Sequence, residues 1–445
     1  MNDPSSLPGH RAYLRLVLPL TAATLSTPLL GMVDTAVVGN LGDPAVLGGT
    51  ALVVVLFNTL YWLFGFLRVS TSGFAAQARG SSDMEQASAQ LIRPLAVSLL
   101  LGLAFILLQK PIFSGFIALY KPDPDVARFA WQYYGIRVWG APVTLANYAI
   151  LGWLLGMAHI RQTLILQIGA NMLNLVLALL FVQTLSWGAA GAAWALLIAE
   201  SGSLLLGLAF VLRSPHFRLS LPGAAAALGA GGWAGMFRAN ADLFIRTLCL
   251  LGMINGFTAA SASLGTTFLA ANAILLQIHY FMAYLYDGIG NAGSLYAGQA
   301  KGSGNAALLR RTIRLTWFWT AAAALLMTLL YQAFKDALIP LFASSPEVIR
   351  SALAYSGWLT LFPAAAGAGI TFYGVFTGLT ETGPIRNSML LSLAAFAAGA
   401  LLFLPAWGND GLWAAFTVFA AARSVFLLLY LPGLQKRPAA EASRF

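Results

Sequence analysis

The sequence is poor in charged residues. Asp, Glu, Lys and Arg make up 9% of the 445 residues, whereas a soluble domain carries about 25%. Hydrophobic residues account for 59%, and the mean hydropathy is +0.77. The shortage of charge excludes an ordinary soluble fold. The long apolar runs that replace it predict an all-α polytopic membrane protein.

Cysteine is nearly absent as well. Cys249 is the only one and lies in an apolar run, which excludes a disulfide framework and a cysteine metal site. No cluster of His, Asp and Glu has the spacing of a metal site, and the sequence has neither a GxSxG pattern nor a phosphate-binding loop. We therefore predict a protein that is not an enzyme and has no catalytic residues, metal or cofactor. Any uphill transport must then draw on an ion gradient.

Twelve apolar segments are long enough to cross a bilayer, which requires about 20 residues each. They cover residues 13–40, 47–76, 91–108, 129–157, 164–184, 189–212, 233–258, 267–295, 312–333, 351–378, 388–405 and 411–432. The segment 213–232 combines basic residues, proline and a Gly/Ala stretch, which is typical of a linker. We predict an N-terminal six-helix lobe (1–212), a cytoplasmic linker (213–232), a C-terminal six-helix lobe (233–432) and a cytoplasmic tail (433–445).

The two halves resemble each other. AAQARG at 75–80 recurs as AGQAKG at 297–302, a shift of 222 (297 minus 75). Landmarks in later spans repeat at nearly the same offset: Gly152, Gly156 and Trp187 match Gly374, Gly378 and Trp407. Because each half holds an even number of spans, both halves start on the same side of the membrane. The sequence therefore predicts a parallel internal repeat of two six-helix bundles.

Basic residues concentrate in the loops on one side of the predicted spans, whereas those on the other side are interspersed with acids. The positive-inside rule then places both termini and the linker in the cytoplasm. The N-terminus lacks a cleavable signal pattern, so the first span should remain in the mature protein. The net charge of +10 lies in membrane-flanking loops, which argues against nucleic-acid binding. We expect a multi-pass membrane protein whose main partner is the bilayer.

The run from Tyr13 to Asn40 contains a single charged side chain after Arg15, that of Asp34. A carboxylate in a membrane-spanning helix is costly unless it is paired, hydrated or protonated, and such groups are usually functional. Pro19 and Pro28 remove backbone donors from the same helix and can bend it. We predict that Asp34 is a proton-coupling group and that the two prolines form a hinge. The alternative is a buried acid that only holds helices together.

Three amides of the first half accompany Asp34. Asn171 and Asn174 are three residues apart and share a helix face, and Asn147 lies in the fourth span. In a membrane, amides either bridge helices or line a wet cavity. We predict that these three residues line a substrate cavity in the N-terminal lobe.

Other buried polar residues are interpreted as structural or are left open. Asp287 is a candidate site residue of the C-terminal lobe, although pairing with an arginine is the alternative. Glu200 is expected to pair with an arginine, with Arg137 and Arg423 as conceivable partners. His279 is expected to be a hydrogen-bonded core residue. Asp242 is flanked by Arg238 and Arg246 at i−4 and i+4, which predicts a charge network at a helix end.

Several segments resemble the multidrug and toxic compound extrusion (MATE) family, specifically its DinF-like branch. The resemblance rests on PLLGMVDTAVVGNLG in the first span, GAPVTLANYAILGWLLG in the fourth, ANMLNLVL in the fifth, GAAWALLIAE in the sixth and YLYDGIGNAGSLYAGQA in the eighth. It implies a V-shaped antiporter of two six-helix lobes that exports amphipathic, often cationic, compounds in exchange for H⁺ or Na⁺. It also implies that Asp34 is the proton-coupling aspartate and that Asn147 and Asn174 belong to the N-lobe cavity.

Two departures from the family pattern bear on the coupling ion. Relatives commonly carry an Asp where this chain has Ala178, and a threonine where it has Leu196; with Asp34 and Asn174 these resemble the Na⁺-ligand set. Ser294 also stands where the family pattern leads us to expect an acid in the C-terminal lobe. Since Na⁺ needs several oxygen ligands and H⁺ needs one carboxylate, we expect proton coupling. The alternatives are Na⁺-coupled drug export and a lipid-linked precursor flippase, for which Arg68 and Arg137 would supply cationic lining.

Overall fold

The computed structural model describes residues 7–39, 44–218, 221–229 and 232–436; side chains of 27–39, 44, 221, 222, 224, 435 and 436 lie outside the described part. This part of the chain is helical and contains no strand. Eleven of its segments are long and apolar enough to cross a membrane. A further helix of 30 residues covers the first predicted span. The predicted all-α, twelve-span fold is confirmed.

The described residues of the first half of the chain form ten helices. They are α1 (His10–Gly39), α2 (Pro44–Phe64), α3 (Phe66–Gly80), α4 (Met84–Leu107), α5 (Gln109–Tyr120), α6 (Pro124–Arg137), α7 (Ala141–Gly156), α8 (Ile160–Ala178), α9 (Gly188–Leu212) and α10 (Leu221–Leu228). A 3-10 turn, Val138–Gly140, joins α6 to α7, and a π-helical turn, Leu179–Thr184, extends α8.

Between residues 232 and 436, which the structure describes, there are seven further helices, several of them longer. They are α11 (Trp233–Ser263), α12 (Thr266–Gly302), α13 (Ala306–Leu338), α14 (Pro346–Gly378), α15 (Thr382–Trp407), α16 (Asn409–Leu428) and α17 (Leu431–Lys436). A 3-10 turn, Ile339–Phe342, follows α13. Helices α12, α13 and α14 are long enough, at about 1.5 Å per residue, to cross the hydrocarbon core with turns to spare at both ends.

Two predicted spans are each built from two helices. The second span is interrupted between α2 and α3 at Gly65, whose N–H donates to the carbonyl of Trp62 over 3.1 Å in a tight turn. The fourth span consists of α6 and α7. Two predicted connections also contain helices, α5 in the loop after the third span and α10 within the predicted linker. Hydropathy predicts how long a segment remains apolar, but it does not predict a local break in the backbone.

Contacts divide the chain into two compact units. One unit comprises residues 1–21 and 237–445, which we call the C-terminal unit, and the other comprises 22–236, the N-terminal unit. The start of α1 thus packs with the second half of the chain. Tyr13 is fully buried in the C-terminal unit, where its hydroxyl lies 2.9 Å from the Thr316 hydroxyl and donates to the carbonyl of Ile289. The lobe boundaries at residues 212 and 233 stay a prediction.

The N-terminal unit is held by contacts among α2, α3, α4, α6, α7 and α9, whose facing residues form its apolar clusters. Trp153 is completely buried in one of them and donates its indole N–H to the carbonyl of Ala87 over 2.7 Å. The C-terminal unit is built around α12, α14 and α16. Burying aromatic side chains and satisfying their polar atoms locally fixes helix rotation as well as helix separation.

The internal repeat of the sequence is also a repeat of contacts. A Cβ on Gly152 would lie 2.3 Å from the carbonyl oxygen of Arg68, and a Cβ on Gly374 would lie 1.9 Å from that of Gly290. Both members of the second pair are shifted by 222 (374 minus 152 and 290 minus 68). These glycines let two backbones touch, as small residues do in membrane helix pairs. The α3–α7 contact therefore recurs as the contact of α12 with α14.

The repeated AAQARG and AGQAKG segments each place a basic side chain at the end of another helix. Arg79 donates to the carbonyl of Met157, just past the end of α7, and Lys301 donates over 2.6 Å to that of Leu379, just past the end of α14. Both interactions are shifted by 222 (301 minus 79 and 379 minus 157). A cation at a helix C-terminus satisfies carbonyls that the helix leaves open and offsets its negative dipole.

Candidate functional site

Helix α1 carries the sequence-predicted proton-coupling residue. Its backbone is helical from His10 to Gly39, so Pro19, Pro28 and Asp34 all belong to one helix. The side chains of Pro28 and Asp34 lie outside the described residues, whereas Pro19 is half-buried. The proposed roles of Asp34 and of the two prolines therefore stay predictions.

Asn171 joins α8 to α1. Its amide Nδ2 donates to the hydroxyl of Ser26 over 3.0 Å, and Ser26 donates in turn to the carbonyl of Ala23 over 2.8 Å. Ser26 precedes Asp34 by eight residues, about 12 Å along the helix axis. This amide bridges two helices of the N-terminal unit on the helix that carries Asp34.

Asn174 lies on the same helix and is 1% exposed. One turn further along, Ala178 is 2% exposed and forms an apolar cluster with Val182 and Ala195. The hydrogen-bonding part of α8 therefore ends before Ala178, where the surroundings offer methyl and methylene groups. Leu196, the other position where relatives carry an oxygen ligand, is half-buried.

Asn147 points in a different direction from Asn171. It is buried in α7, and its Nδ2 donates to the backbone carbonyl of Glu200 in α9 over 2.8 Å. Its Oδ1 is buried and has no hydrogen-bond partner within the described part of the chain. The contacts of the two amides thus connect α7 to α9 and α8 to α1. Their grouping in one substrate cavity stays a prediction.

Glu200 is the centre of the main polar network in the N-terminal unit. Its Oε1 lies 3.8 Å from a guanidinium nitrogen of Arg137, and its Oε2 accepts a 2.5 Å hydrogen bond from Thr144. The side chains of Arg137 and Glu200 are 9% and 19% exposed, and the guanidinium lies over the ring of Phe57 at 5.1 Å. The expected pairing of Glu200 with an arginine is correct, and the partner is Arg137. Each charge compensates the other in surroundings that would not tolerate one alone.

The C-terminal unit arranges its charges differently. Asp242 in α11 accepts hydrogen bonds from Arg386 over 2.8 Å and from Thr382 over 2.7 Å, both at the start of α15. The ion pair is therefore formed across helices, with Arg386, and not along α11 with the arginines at i±4. A carboxylate held by a neighbouring helix fixes the position of both helix ends, as a structural role requires.

Asp287 and His279 lie on α12. Asp287 is half-buried and interacts electrostatically with Arg423 of α16. His279 packs edge-on against Phe362 and Phe416, with ring centroids 4.1 and 5.0 Å apart, and its Nδ1 is buried with no hydrogen-bond partner among the described residues. Aromatic packing thus surrounds this histidine, which agrees with its interpretation as a core residue, although the hydrogen bonding expected of it is not formed at Nδ1 within that part of the chain.

A pair of histidines lies between the spans of the N-terminal unit. The ring of His159 contacts that of His216, with centroids 5.7 Å apart, and its Nε2 lies 3.0 Å from the Ser214 hydroxyl. Burial, together with the nearby His216 and Arg79, lowers the pKa of His159 to about 4, and burial and Arg79 lower the pKa of His216. Both imidazoles are therefore neutral at pH 7. They close the junction between α7, α8 and the segment after α9.

The chain matches the MatE family model over residues 19–180 and 244–401, which is most of its length. It is 35% identical over 423 residues to the DNA damage-inducible protein F of Escherichia coli K12, covering 94% of this chain and 91% of that protein. The chain belongs to the MATE family. It is a multi-pass membrane transporter and not an enzyme.

More distant relatives and solved structures extend this picture. The chain is 25% identical over 450 residues to multidrug and toxin extrusion protein 1 of rabbit (Oryctolagus cuniculus), covering 98% of this chain and 77% of that protein. A crystal structure of MATE in the bent conformation superimposes with a TM-score of 0.89 at 19% identity, covering 99% of this chain and 98% of that one. The fold of this MATE protein is thus that of solved transporters.

Sequence reasoning missed two parts of the polar structure of this MATE protein. Thr144, a ligand of the Glu200 carboxylate, gave no signal because a threonine in an apolar helix usually bonds its own backbone. Thr144 also makes such a bond, to the carbonyl of Gly140 over 3.1 Å. In the C-terminal unit, Arg246 and Arg423 lie within spanning helices, and their mutual proximity follows only from the packing of α11 against α14, α15 and α16.

Proposed function

We propose that this MATE transporter is a proton-coupled antiporter that exports amphipathic, cationic drugs or metabolites across the bacterial inner membrane by alternating access. It acts as a monomer with both termini in the cytoplasm. The observation that carries the proposal is the single acid, Asp34, on the apolar helix α1. Relatives named for multidrug and toxin extrusion support a small-molecule substrate.

The contacts of α1 support a role for Asp34 in transport. Asn171 fastens α1 to α8 through Ser26, two turns before Asp34. The start of the same helix is anchored in the C-terminal unit by Tyr13. Pro19 lies between these two held points and Pro28 lies two residues beyond Ser26, so the helix is suited to bend at both prolines.

The coupling step follows from the charge of one carboxylate. Protonation of Asp34 from the outer side removes a charge that the helix can keep only near water or a polar partner. The neutral helix bends at Pro19 and Pro28, and the cavity lined by Asn147, Asn171 and Asn174 shrinks and releases its substrate outward. Loss of the proton toward the cytoplasm restores the straight helix and the cavity.

Two alternatives have less support. Coupling to Na⁺ would need oxygen ligands at positions 178 and 196, and here Ala178 lies in an apolar cluster and Leu196 is also apolar. A flippase for lipid-linked precursors would need free cations in the N-terminal cavity, whereas Arg137 is engaged by Glu200. Neither observation favours the alternative function over proton-coupled drug export.

The proposal is tested by transport of a fluorescent lipophilic cation into proteoliposomes containing the purified protein, with pH and Na⁺ gradients imposed separately. We expect the pH gradient to drive transport and Asp34→Asn to abolish it. The matched control is Asp125→Asn, because Asp125 is 75% exposed and forms only a surface ion pair with Arg128. Near-normal transport by Asp34→Asn, or transport that follows Na⁺ and ignores pH, would contradict the proposal.

A further inference from the structure

A small cavity of the C-terminal unit is bordered by two arginines from different helices. Arg246 of α11 and Arg423 of α16 line it together with Tyr373 of α14 and residues at the start of α15. Its volume is about 10 Å³, enough for roughly one water molecule or one oxygen atom of a ligand, and it is partly open to its surroundings. The rest of its wall is mainly apolar, formed by Ile385, Met389 and Leu427. Two cations therefore face one another inside a bundle of spanning helices.

Both arginines are held in position by their surroundings. The guanidinium of Arg246 lies 4.5 Å from the centre of the Tyr373 ring. Beside Arg423, the N–H of Gly369 donates to the hydroxyl of Ser424 over 2.9 Å, which brings α14 against α16. A Cβ at position 369 would lie 3.1 Å from Cγ of Arg423. The glycine therefore leaves the space through which the arginine side chain passes.

The charges at this cavity do not balance. Arg423 is repelled by Arg246 and attracted by one carboxylate, that of Asp287. The other nearby acid of α11, Asp242, is already bound to Arg386. Within the described residues neither Arg246 nor Arg423 has a carboxylate within 4 Å. An excess positive charge among spanning helices is costly, and an anion placed between the two guanidinium groups would compensate it.

A buried hydrogen-bond donor without a partner also favours an anion at this cavity. The Nε of Arg246 is buried and has no hydrogen-bond partner among the described residues. Buried donors in folded proteins are nearly always satisfied by protein, water or ligand. Guanidinium groups match the oxygens of carboxylates and phosphates in planar, paired hydrogen bonds.

We propose that the C-terminal unit binds the anionic headgroup of an amphipathic molecule, a carboxylate or phosphate, with one oxygen of the headgroup in the cavity between Arg246 and Arg423 and the hydrocarbon tail outside it. The site lies in the other unit from Asp34 and selects the opposite charge from the proposed export substrate. It therefore stands independently of the proposed function.

The test measures thermal unfolding of the purified full chain in a neutral maltoside detergent, using a thiol-reactive fluorogenic dye. Cys249 is the only cysteine, is buried, and lies one turn from Arg246 on α11, so dye labelling reports unfolding of this helix. The probes are decyl phosphate and decyltrimethylammonium, which share a tail and differ in headgroup charge. We expect decyl phosphate to raise Tm by about 2 °C or more relative to the same amount of the cationic probe.

Variants assign the shift to the cavity. Arg246→Gln and Arg423→Gln should each abolish it, whereas Arg350→Gln, at an exposed position of the same unit, should retain it. If Arg423→Gln fails to fold, Arg423→Gln/Asp287→Asn removes both charges and keeps the test available. Loss of the Tm shift in Arg423→Gln, or in the double variant that replaces it, supports the site. Equal shifts from the two probes, or a shift that survives the loss of either arginine, would overturn the proposal.

Two further arms identify the source of the headgroup. Inorganic phosphate tests whether the anion suffices without a tail, and nanodiscs of phosphatidylglycerol or of phosphatidylcholine test a membrane lipid. A Tm shift that depends on the arginines and appears only in phosphatidylglycerol nanodiscs assigns the site to a membrane lipid. A Tm shift that appears when decyl phosphate is added to phosphatidylcholine nanodiscs assigns the site to a free amphipathic anion. Asp34→Asn should retain the shift while losing transport, so failure of one proposal does not imply failure of the other.

Discussion

Equivalent positions in the two halves join the same pair of helices through different hydrogen-bonding groups. In the N-terminal unit α7 carries Asn147, whose amide donates to the carbonyl of Glu200 in α9. In the C-terminal unit the position shifted by 222 (369 minus 147) is Gly369, whose own N–H donates to Ser424 in α16. The duplication thus preserves the helix packing and changes the polar side chains that lie within it.

The consequence is a difference in charge balance. The N-terminal unit pairs Arg137 with Glu200 and adds the Thr144 hydroxyl. The C-terminal unit places Arg246 and Arg423 at one cavity, where the carboxylate of Asp287 attracts Arg423. Backbone contacts through glycine are indifferent to charge, so each half has been free to acquire its own polar interior. The comparison leads to four measurements, taken from the largest expected effect to the smallest.

The shared glycine contacts should be equally sensitive in both halves. Gly152→Ala and Gly374→Ala each place a methyl group against a backbone carbonyl, at 2.3 and 1.9 Å before any relaxation. Since backbone has to shift, we expect each to lower stability by about 3 kcal/mol or more, measured as yield of monodisperse protein and Tm. Gly169→Ala, in open space on α8, is the control and should be neutral or slightly stabilising. If only one of the two substitutions lowered stability, the two glycine contacts would not be equivalent.

Removing one arginine should have unequal consequences in the two units. Arg137→Gln leaves Glu200 as an uncompensated buried acid and should cost about 3 kcal/mol, seen as a large drop in Tm. Arg423→Gln removes the repulsion by Arg246 together with the attraction by Asp287, so these two effects offset each other and Tm should change much less. The double variant Arg137→Met/Glu200→Leu should recover much of the loss. Equal destabilisation by the two single variants would remove the contrast between the units.

The cations that cap α7 and α14 should contribute similarly. Arg79→Gln and Lys301→Gln each remove a charged donor to the last carbonyls of a helix. We expect a loss of about 1 kcal/mol for each, measured by Tm at low ionic strength, and a smaller loss in high salt. A salt-independent effect would indicate that packing of the side-chain stem, and not charge, carries the contribution.

Acid should weaken the N-terminal unit through its histidines. The pKa of folded His159 is lowered to about 4, below its ordinary value of 6.5, so the unfolded chain binds the proton first. Stability present above about pH 6.5 is then lost as the pH falls toward 4. We expect Tm to fall modestly over that window and His159→Gln to flatten the slope. A slope of Tm against pH that His159→Gln leaves unchanged would contradict this assignment.

Much of this fold could be predicted from sequence because its signals are local. Apolar runs of sufficient length predicted all twelve spans, and the repeated landmarks at an offset of 222 predicted the duplicated packing. The pairing of Glu200 was predicted only as a choice between Arg137 and Arg423. Asp242 was assigned partners at i±4, whereas its ion pair is with Arg386. Spacing along one helix contains no information about which neighbouring helix faces the carboxylate.

By itself the sequence determined that this is a helical membrane transporter built from two related halves. Hydropathy adds up residue by residue, and the repeat is a property of order along the chain, so neither requires packing to be known. Tertiary structure alone decided that the start of α1 packs with the second half, that Glu200 meets Arg137 and Thr144, and that Arg246 lies beside Arg423. These choices depend on how each helix is rotated about its axis, which is set by glycine contacts and buried aromatic side chains from segments far apart in sequence.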